Sequence, residues 1–380
     1  FFFMHQEPSG VWIMAYTTID DPSAHFQTVI YTGNGGANHA ITNDGNSDLQ
    51  PDFVWIKNRD AADSNCLFDS SRGATNVLST DSTDNEDTDT DTLDSFASDG
   101  FQVDADVKVN TNTEKYVAWQ WKANGGSLTS VSASGSGATN ILAGNYQANT
   151  TAGFSVMTFT GDETQSTVTH GLGAAPDFIV VRARTRDSNN WIVWHSAAST
   201  GTQYFNATGA NDTSNGPYFM GDDSSITQPT STVFTVGGNI QVNHDGASNI
   251  AYAWRSIQGY SKFGKYVGNG AEPDGPFIYT GFSPAFIMVK AYSEAGQGYI
   301  IGDHKRDSYN MALEKLFPNV SAASSGATGD NNWDFLSNGF KIRTQDAGMN
   351  WDGRSFFYAA FAHQPFVTSD DGGSIPATAR

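Results

Sequence analysis

The sequence predicts an all-β protein built from three tandem antiparallel β-sandwich units of jelly-roll type. The 380 residues include 39 glycines, 25 phenylalanines, 14 tyrosines and 9 tryptophans. Aromatic side chains suit half-buried, pleated strands, and glycine supplies the backbone conformations of tight turns. The apolar spacing of a surface helix is rare. Three sequence markers also recur three times in the same order, which indicates one repeated unit.

The first marker is a strand that ends in a glycine-containing turn. It occurs at 28–33 and 155–161. We assign its third copy to 276–281, although a related stretch lies just upstream at 265–270. Glycine at the end of a strand allows the positive φ angles that such turns need.

The second marker is a proline before an apolar strand that ends in a basic residue. The three prolines and the basic residues that follow them are Pro51 and Lys57, Pro176 and Arg182, and Pro284 and Lys290. Proline is tolerated at the start of a strand because its missing N–H lies outside the ladder. A polar turn and a second apolar strand follow each copy, which predicts a hairpin.

The third marker is a tight turn followed by a final strand. The turn is Asp99-Gly100 in the first copy and Asn338-Gly339 in the third, and the middle copy has an inserted residue near Gly237-Gly238. Such dipeptides between apolar runs are strong hairpin signals. Aligning the final strands on their alanines brings together Ala118, Ala251 and Ala360, and with them Trp119, Tyr252 and Phe361.

These markers divide the chain into six segments. They are an N-terminal extension (1–25), repeat 1 (26–125), a Ser/Gly/Ala-rich linker (126–153), repeat 2 (154–258), repeat 3 (259–367) and a C-terminal tail (368–380). The linker composition suits a flexible connection or an extended arm whose apolar island at 141–143 adds an edge strand to a neighbour. Repeats 2 and 3 are closely joined, so we expect them to pack together.

The repeats differ most in three loops, at 79–94, 199–231 and 318–332. Shared strands are typical of a scaffold, whereas variable loops carry function more often. We therefore expect any function specific to one copy to lie in these loops.

Composition argues against several classes of partner. Lys+Arg number 20 against 40 Asp+Glu, a formal net charge of -20. Nucleic acids and anionic membrane surfaces both require clustered basic residues, so neither is expected as a partner. No apolar run reaches the length of a membrane span, so we expect no membrane insertion. The single cysteine, Cys66, excludes an intrachain disulfide and lies in an apolar run, as a buried structural thiol would.

The sequence predicts no catalytic residues. A glycosidase needs two facing carboxylates, and no glutamate recurs in all three repeats. The stretch 134–137 resembles a serine-hydrolase elbow only superficially, because it lies in the linker without a strand-to-helix turn. The eight histidines do not cluster at metal-ligand spacing. We therefore expect a non-enzymatic protein that needs no cofactor, with calcium left open.

The acidic loop is the one candidate metal site. Seven carboxylates lie within 81–94, and Asp87, Asp89 and Asp91 alternate. Calcium prefers oxygen ligands, and alternate aspartates can converge on one ion. The glycine and glutamate of an EF-hand loop are missing, and a solvated acidic loop is the competing interpretation.

Four tryptophans are candidates for glycan binding. Aromatic rings stack on the apolar faces of sugars, while neighbouring amides and carboxylates bind hydroxyl groups. Trp191, Trp194, Trp333 and Trp351 have such neighbours, and the segment 215–219 is similar. The competing interpretation places these aromatic residues in the core.

The stretch 51–59, the turn at 94–103 and the strand at 116–123 together resemble an uncharacterised β-rich repeat of virion proteins from tailed bacteriophages. The family includes tail-fibre and appendage proteins of marine phages. The resemblance is clearest over 26–125 and weaker in the later copies, where Trp55 and the 57–59 motif are only partly kept. It implies a structural or host-recognition role, and the family has no established catalytic residues to transfer.

The leading hypothesis is therefore a non-enzymatic phage structural protein, located in the virion and outside the cell. Its expected partners are further copies of itself, other virion proteins and a host surface glycan. One alternative is a secreted carbohydrate-binding protein with or without polysaccharide-cleaving activity. The other is a capsid-decorating or head-fibre protein.

Overall fold

The computed structural model describes residues 3–6, 12–136, 139–213, 226–326 and 332–368, with side chains from residue 16 onward. Its secondary structure is 42 % strand and 4 % helix, arranged in antiparallel sheets, which confirms the predicted all-β class. An N-terminal hairpin of β1 (Phe3–Gln6) and β2 (Trp12–Ala15) precedes three similar units. Among the described residues, no helix has the length and apolarity needed to cross a membrane.

Unit 1 contains nine strands and one short helix. They are β3 (Phe26–Thr32), β4 (His39–Thr42), β5 (Phe53–Asn58), β6 (Cys66–Asp69), β7 (Asn76–Ser79), β8 (Asp87–Thr88), β9 (Leu93–Ala97), β10 (Gly100–Val103), α1 (Val107–Asn110) and β11 (Lys115–Trp121). A 3-10 turn at Pro22–Ala24 leads into β3.

Unit 2 has the same plan with two additional strands at its start. It comprises β12 (Thr129–Val131), β13 (Gly144–Asn149), β14 (Phe154–Thr160), β15 (Ser166–Thr169), β16 (Phe178–Ala183), β17 (Ile192–His195), β18 (Gln203–Tyr204), β19 (Val233–Val236), α2 (Ile240–Asn243) and β20 (Ser248–Trp254). A 3-10 turn at Ser196–Ala198 follows β17.

Unit 3 closes the described chain. Its strands are β21 (Ser261–Val267), β22 (Phe277–Tyr279), β23 (Phe282–Ala291), β24 (Tyr299–Asp303), β25 (Trp333–Leu336), β26 (Gly339–Ile342) and β27 (Ser355–Pro365).

Each unit is a sandwich of one large and one small sheet. The large sheets share the strand orders β3-β11-β5-β6, β14-β20-β16-β17 and β21-β27-β23-β24. The small sheets are β4-β10-β9, β15-β19 and β22-β26-β25. The common order shows that the three units repeat one topology.

Both faces of each large sheet are buried. In β5, Val54 and Ile56 face the core between the two sheets of unit 1, whereas Phe53 and Trp55 face outward into a second core. Side chains alternate along a strand, so one strand supplies both cores. The second core is shared by all three units and includes Trp119, Phe154, Phe178, Trp254, Phe286 and Phe361. The three large sheets therefore pack against one another around a common aromatic centre.

The described residues of the linker segment 126–153 are folded. Strand β13 pairs with β14, and β12 pairs with β13, so the large sheet of unit 2 is extended at this edge. The predicted apolar island adds an edge contact as well, because Ile141 forms a parallel bridge with Thr167. The segment thus acts as the extended arm, and the alternative of a flexible connection does not apply to its described residues.

The third copy of the first marker was wrongly assigned to 276–281. Strand β21 is the partner of β27, as β3 is of β11 and β14 is of β20. The turn after β21 is therefore the equivalent one, and 265–270 is the third copy. The stretch 276–281 contains β22, which corresponds to β4 and β15 instead.

The alanine alignment of the third copy was also wrong, by two residues. Trp119 lies opposite Trp55 and Tyr252 opposite Val180, but the residue opposite Met288 is Ala359. In β27 the alanine and the aromatic residue are exchanged, because Tyr358 and Ala359 hold the positions of Ala118 and Trp119. The sequence pattern therefore suggested a register two residues away. In the structure Phe361 corresponds to Trp121 and Trp254, which lie opposite Phe53 and Phe178.

The glycine turn has a steric cause. A Cβ on Gly33, Gly161 or Gly268 would lie 2.1, 2.3 and 2.3 Å from a backbone carbonyl oxygen. In each unit an asparagine side chain caps the residue after this glycine. The Oδ1 atoms of Asn110, Asn243 and Asn350 accept the N–H groups of Asn34, Asp162 and Asn269 at 2.9, 3.0 and 2.9 Å.

Candidate functional site

The three units contact one another in a cycle through one repeated position. Asp69, His195 and Asp303 lie opposite Phe53, Phe178 and Phe286 in their sheets, so they are structurally equivalent. Each makes a hydrogen bond to the next unit, from unit 1 to 2, from 2 to 3 and from 3 to 1. The hydroxyl of Tyr252 donates to Asp69 at 2.7 Å, His195 Nε2 donates to the carbonyl of Tyr358 at 3.1 Å, and Trp119 Nε1 donates to Asp303 at 3.1 Å.

The variable loops complete the same cycle. In the loop 79–94 of unit 1, the Glu86 carboxylate accepts two hydrogen bonds from Arg184 of unit 2, at 2.6 and 2.9 Å. Burial raises the pKa of Glu86, but hydrogen bonds and charge from Arg184 and Arg72 hold it below its usual range. The acidic loop is therefore an interface between units.

The other two loops behave in the same way. Gly209 of unit 2 offers its carbonyl to Lys290 of unit 3 at 2.9 Å. In the loop 318–332 of unit 3, the carbonyl of Val320 accepts a hydrogen bond from the Asn65 side chain of unit 1 at 2.9 Å, and the N–H of Ser324 donates to the carbonyl of Arg59 at 2.9 Å. The described parts of all three variable loops thus contact the next unit. Our expectation that they carry copy-specific function has no support in these contacts.

The proposed calcium ligands do not converge. Asp87 is exposed on β8, Asp89 lies 3.3 Å from the ammonium of Lys108, and Asp91 accepts the N–H of Ala105 at 3.3 Å. In the described part of the chain, no group of three or more His, Cys, Asp or Glu residues is placed to hold a metal ion. These aspartates interact with neighbouring protein groups instead.

Three of the four tryptophans proposed for glycan binding are in the interior. Trp191 is 0 %, Trp194 2 % and Trp333 1 % exposed, so none can offer a ring face to a sugar. Trp191 donates its indole N–H to the carbonyl of Ser79 in unit 1 at 2.9 Å. The polar neighbours that suggested a site arise because strands with two buried faces end in polar turns. The segment 215–219 lies outside the described residues.

Trp351 is the exposed member of the set. It is 52 % exposed, and the guanidinium of Arg354 lies 5.1 Å from the centre of its ring. It follows Asn350, at the position held by Thr111 in unit 1 and His244 in unit 2. The tryptophan is thus particular to unit 3, and about half of its side chain is accessible to solvent.

The basic residues of the second marker are buried at equivalent positions. Lys57, Arg182 and Lys290 are each 0 % exposed and donate to backbone carbonyls. Burial lowers the pKa of Lys57 and of Lys290 to about 8 and that of Arg182 to about 10. Arg182 and Lys290 reach carbonyls of the adjacent unit, Asp84 and Gly209, so these two cations help to fix the junctions.

A polar cavity of about 110 Å³ lies between units 1 and 3. His304 and His363 line it, with ring centres 4.6 Å apart, and Lys305 pairs with Asp44 at 2.6 Å. The side-chain amide of Gln27 is hydrogen-bonded at both ends. Its Nε2 donates to the carbonyls of Ser23 and Ser47, and its Oε1 accepts the N–H of Gly45. The cavity has room for a few water molecules or a small polar group. His304 follows β24 and His363 lies on β27, and these two strands flank β23 in the large sheet of unit 3. The sequence analysis missed this pair because the spacing of the two histidines along the chain does not show that strand order.

Two further cavities follow the junctions. One of about 130 Å³ lies around the Arg59–Glu314 ion pair, and an apolar one of about 30 Å³ lies in the aromatic centre. Cys66 is fully buried, as expected, and burial raises the pKa of its thiol to about 12, so the thiolate is not available.

A family model described as a domain of unknown function, DUF7483, matches residues 21–365. The chain belongs to this family. The matched range covers all three units, so the family is defined by the complete three-unit body and not by one repeat. Neither a curated protein nor a solved structure matches this DUF7483 chain.

Proposed function

We propose that this DUF7483 protein is a non-enzymatic structural component of a tailed-phage virion, as a tail fibre or another appendage outside the cell. The resemblance of 26–125 to phage appendage repeats suggests the particle. The observation that carries the structural role is the closed cycle of contacts, in which Asp69, His195 and Asp303 each bind the next unit. The polar side chains at this position thus hold the three units together as one body.

Mass spectrometry of purified virions tests this proposal. The chain should be present in stoichiometric amounts after density-gradient purification, and antibodies against it should label one location on the particle by electron microscopy. Labelling at the head would favour the capsid-decorating alternative. Absence from virions, with the protein present in the infected lysate, would contradict both.

A carbohydrate-binding function is the second candidate, because Trp351 is 52 % exposed and only unit 3 has a tryptophan at this position. It applies equally to a host-receptor role of the virion protein and to a secreted protein. A glycan array with the intact chain should show hits that Trp351→Ala removes. Trp191→Phe is the matched control, since its ring is buried and the change should leave binding intact.

Self-association belongs to the same proposal. Appendage proteins gain avidity from several copies, since linked sites act at a high effective concentration. Sedimentation of the full chain measures this directly. A species larger than the 40.8 kDa monomer is expected at micromolar concentration, whereas a monomer at all concentrations would remove the homo-oligomer from the proposal.

A further inference from the structure

The outer edges of the three small sheets are structurally equivalent. Strands β4, β15 and β22 each form one edge. The buried residues Ile41, Val168 and Ile278 pair with Phe101, Phe234 and Phe340. The residues that precede them, Ala40, Thr167 and Phe277, therefore occupy the same position in the three units.

In unit 2 this edge is filled by an extended segment of the chain. The N–H of Thr167 donates to the carbonyl of Asn140 at 2.7 Å, and the N–H of Leu142 donates to the carbonyl of Thr167 at 2.9 Å. The side chain of Leu142 is buried in the core of unit 2. The segment comes from the arm 126–153, which contains no charged residue. One uncharged strand with an aliphatic anchor thus covers the edge.

In unit 3 the same edge is open at Phe277, whereas the carbonyl of Tyr279 accepts a hydrogen bond from the ammonium of Lys262 at 2.8 Å. The N–H of Ile342 donates to the carbonyl of Pro276, and the N–H of Thr280 donates to the carbonyl of Asn338. These two bonds show which residues of β22 are hydrogen-bonded to β26. In an antiparallel pair alternate residues turn their backbone groups outward, so the N–H and C=O of Phe277 point away from β26. Among the described residues, no strand pairs with this outer side.

The side chains on this strand are also exposed. Phe277 and Tyr279 are each 48 % accessible, whereas the same positions hold Ala40 and Thr42 in unit 1 and Thr167 and Thr169 in unit 2. Proteins usually protect an open edge with charge or with a short strand, and here β22 is short and Lys262 covers its Tyr279 end. The exposed ring of Phe277, beside free backbone groups, is instead typical of a surface that a partner covers.

Charge distinguishes the open edge of unit 3 from the open edge of unit 1. Residues 26–125 contain six Lys/Arg and seventeen Asp/Glu, whereas 259–367 contain nine and ten. Unit 1 therefore carries most of the negative charge, which keeps its own edge solvated and apart from other chains. Unit 3 has a net charge close to zero. Such a unit suits an uncharged strand as a partner.

We propose that the β22 edge of unit 3 binds an extended, uncharged peptide segment of a partner protein by strand addition. The segment would bond to Phe277 as Asn140 and Leu142 bond to Thr167, and an aliphatic side chain would pack beside Phe277 and Tyr279. Main-chain hydrogen bonds give affinity in this mode, and side-chain contacts give selectivity. The proposal concerns the folded chain, so it holds whether or not virions carry it.

An amide-resolved NMR titration of the full chain tests it, with a blocked peptide copying residues 139–145 as the probe. The amides of 277–281 and of 339–342 should shift. The double variant Phe277→Thr/Tyr279→Thr should weaken the peptide's affinity by about fivefold, since cross-strand aromatic contacts contribute at that level. Ala40→Thr in unit 1 is the matched control and should leave the affinity unchanged.

Three results would overturn the proposal. One is no shift at β22 at the highest soluble peptide concentration, and another is shifts confined to Thr167, which would mean exchange with the resident segment. The third is equal binding of a peptide with proline in place of leucine, because proline removes the N–H that Leu142 donates. If soluble oligosaccharides shift the same amides and the peptide does not, this edge is a sugar-binding surface.

Discussion

The junction from unit 3 to unit 1 and the junction from unit 2 to unit 3 use the same strand position with different chemistry. At the first, Asp303 is held by Arg306 at 2.6 Å with both side chains fully buried, and it accepts the indole N–H of Trp119. At the second, His195 binds the carbonyl of Tyr358 and stacks on Phe357, with ring centres 4.4 Å apart. One junction is ionic and the other neutral.

This difference teaches that the repeated feature is the position in the sheet, and not the residue type. The junction from unit 1 to unit 2 is also ionic, because Asp69 forms a buried ion pair with Arg72 and accepts the hydroxyl of Tyr252. In each case a polar atom at the end of the second hairpin strand reaches the next unit. The chemistry then decides how each junction responds to mutation and to pH.

The largest effect is expected from breaking an ionic junction. Asp303→Ala should lower the free energy of unfolding by about 3 to 5 kcal/mol, because Arg306 would keep a buried, unpaired charge. Urea denaturation measures this. Asp303→Leu combined with Arg306→Met should recover most of the loss.

The control for this prediction is the exposed ion pair of Lys305, which lies two residues after Asp303. Asp44→Ala removes the Asp44–Lys305 pair, in which the Asp44 side chain is 60 % exposed, and should cost at most about 1 kcal/mol. Equal losses for Asp44→Ala and Asp303→Ala would mean that burial does not govern the ionic junction.

The neutral junction should lose stability in acid. Burial lowers the pKa of His195 to about 4, although its hydrogen bond to Tyr358 acts in the opposite direction. The unfolded chain therefore binds more protons between pH 6.5 and pH 4, and stability falls as pH falls through that window. The share of His195 is about 3 kcal/mol.

His195→Gln should flatten the pH dependence of the free energy of unfolding by that amount between pH 6.5 and 4. His170 is a control within unit 2, since burial lowers its pKa to about 4 as well. An unchanged slope in His195→Gln, with a reduced slope in His170→Gln, would show that the junction histidine is not the sensitive group.

A second effect, with the same sign of the pH slope, is expected in alkali. Burial lowers the pKa of Lys290 to about 8, so the unfolded chain holds the proton more tightly between pH 8 and pH 10.5. Stability should therefore rise with pH across this window, by about 3 kcal/mol for Lys290. Lys290→Met should remove this share of the rise, while Lys265→Met, at an exposed site, should leave it.

The smallest effect tests whether the final turns of the units are equivalent. Thr113 has φ 70°, the same as Gly246 in unit 2, and Gly353 in unit 3 has φ 73°. A β-branched residue is strained there, so Thr113→Gly should raise the free energy of unfolding by about 1 kcal/mol. Gly246→Thr should lower it by a similar amount, since open space surrounds that Cβ position and only the backbone is affected. A change of equal sign in both variants would disprove the equivalence.

The sequence was informative wherever the cause of a feature is local. The glycine turns, the prolines that start strands and the two-residue hairpin signals placed the repeats in order. The arm at 126–153 was one of two alternatives, and the apolar island at 141–143 identified the part that pairs. The register of β27 could not be predicted from local sequence. This alanine-rich strand can be aligned with the other final strands in two ways, and its pairing with β23 determines which one is right.

The site residues were harder to predict for a related reason. Trp191 and Trp194 are neighbours of polar turns in the sequence. However, Trp194 lies on β17, whose two faces are both buried, and Trp191 directly precedes that strand. The variable loops looked like carriers of function because variation is common at binding surfaces. Variation is equally expected at the three junctions, because each makes the same kind of contact between units with different residues.

The shared aromatic centre has a consequence for synthesis on the ribosome. Trp121 emerges 240 residues before Phe361, which completes the same core. At ordinary rates of translation this separation corresponds to roughly ten to fifty seconds. During that interval the first unit, even when its own sandwich has formed, exposes an aromatic face, and molecules still being made are the ones most prone to associate wrongly.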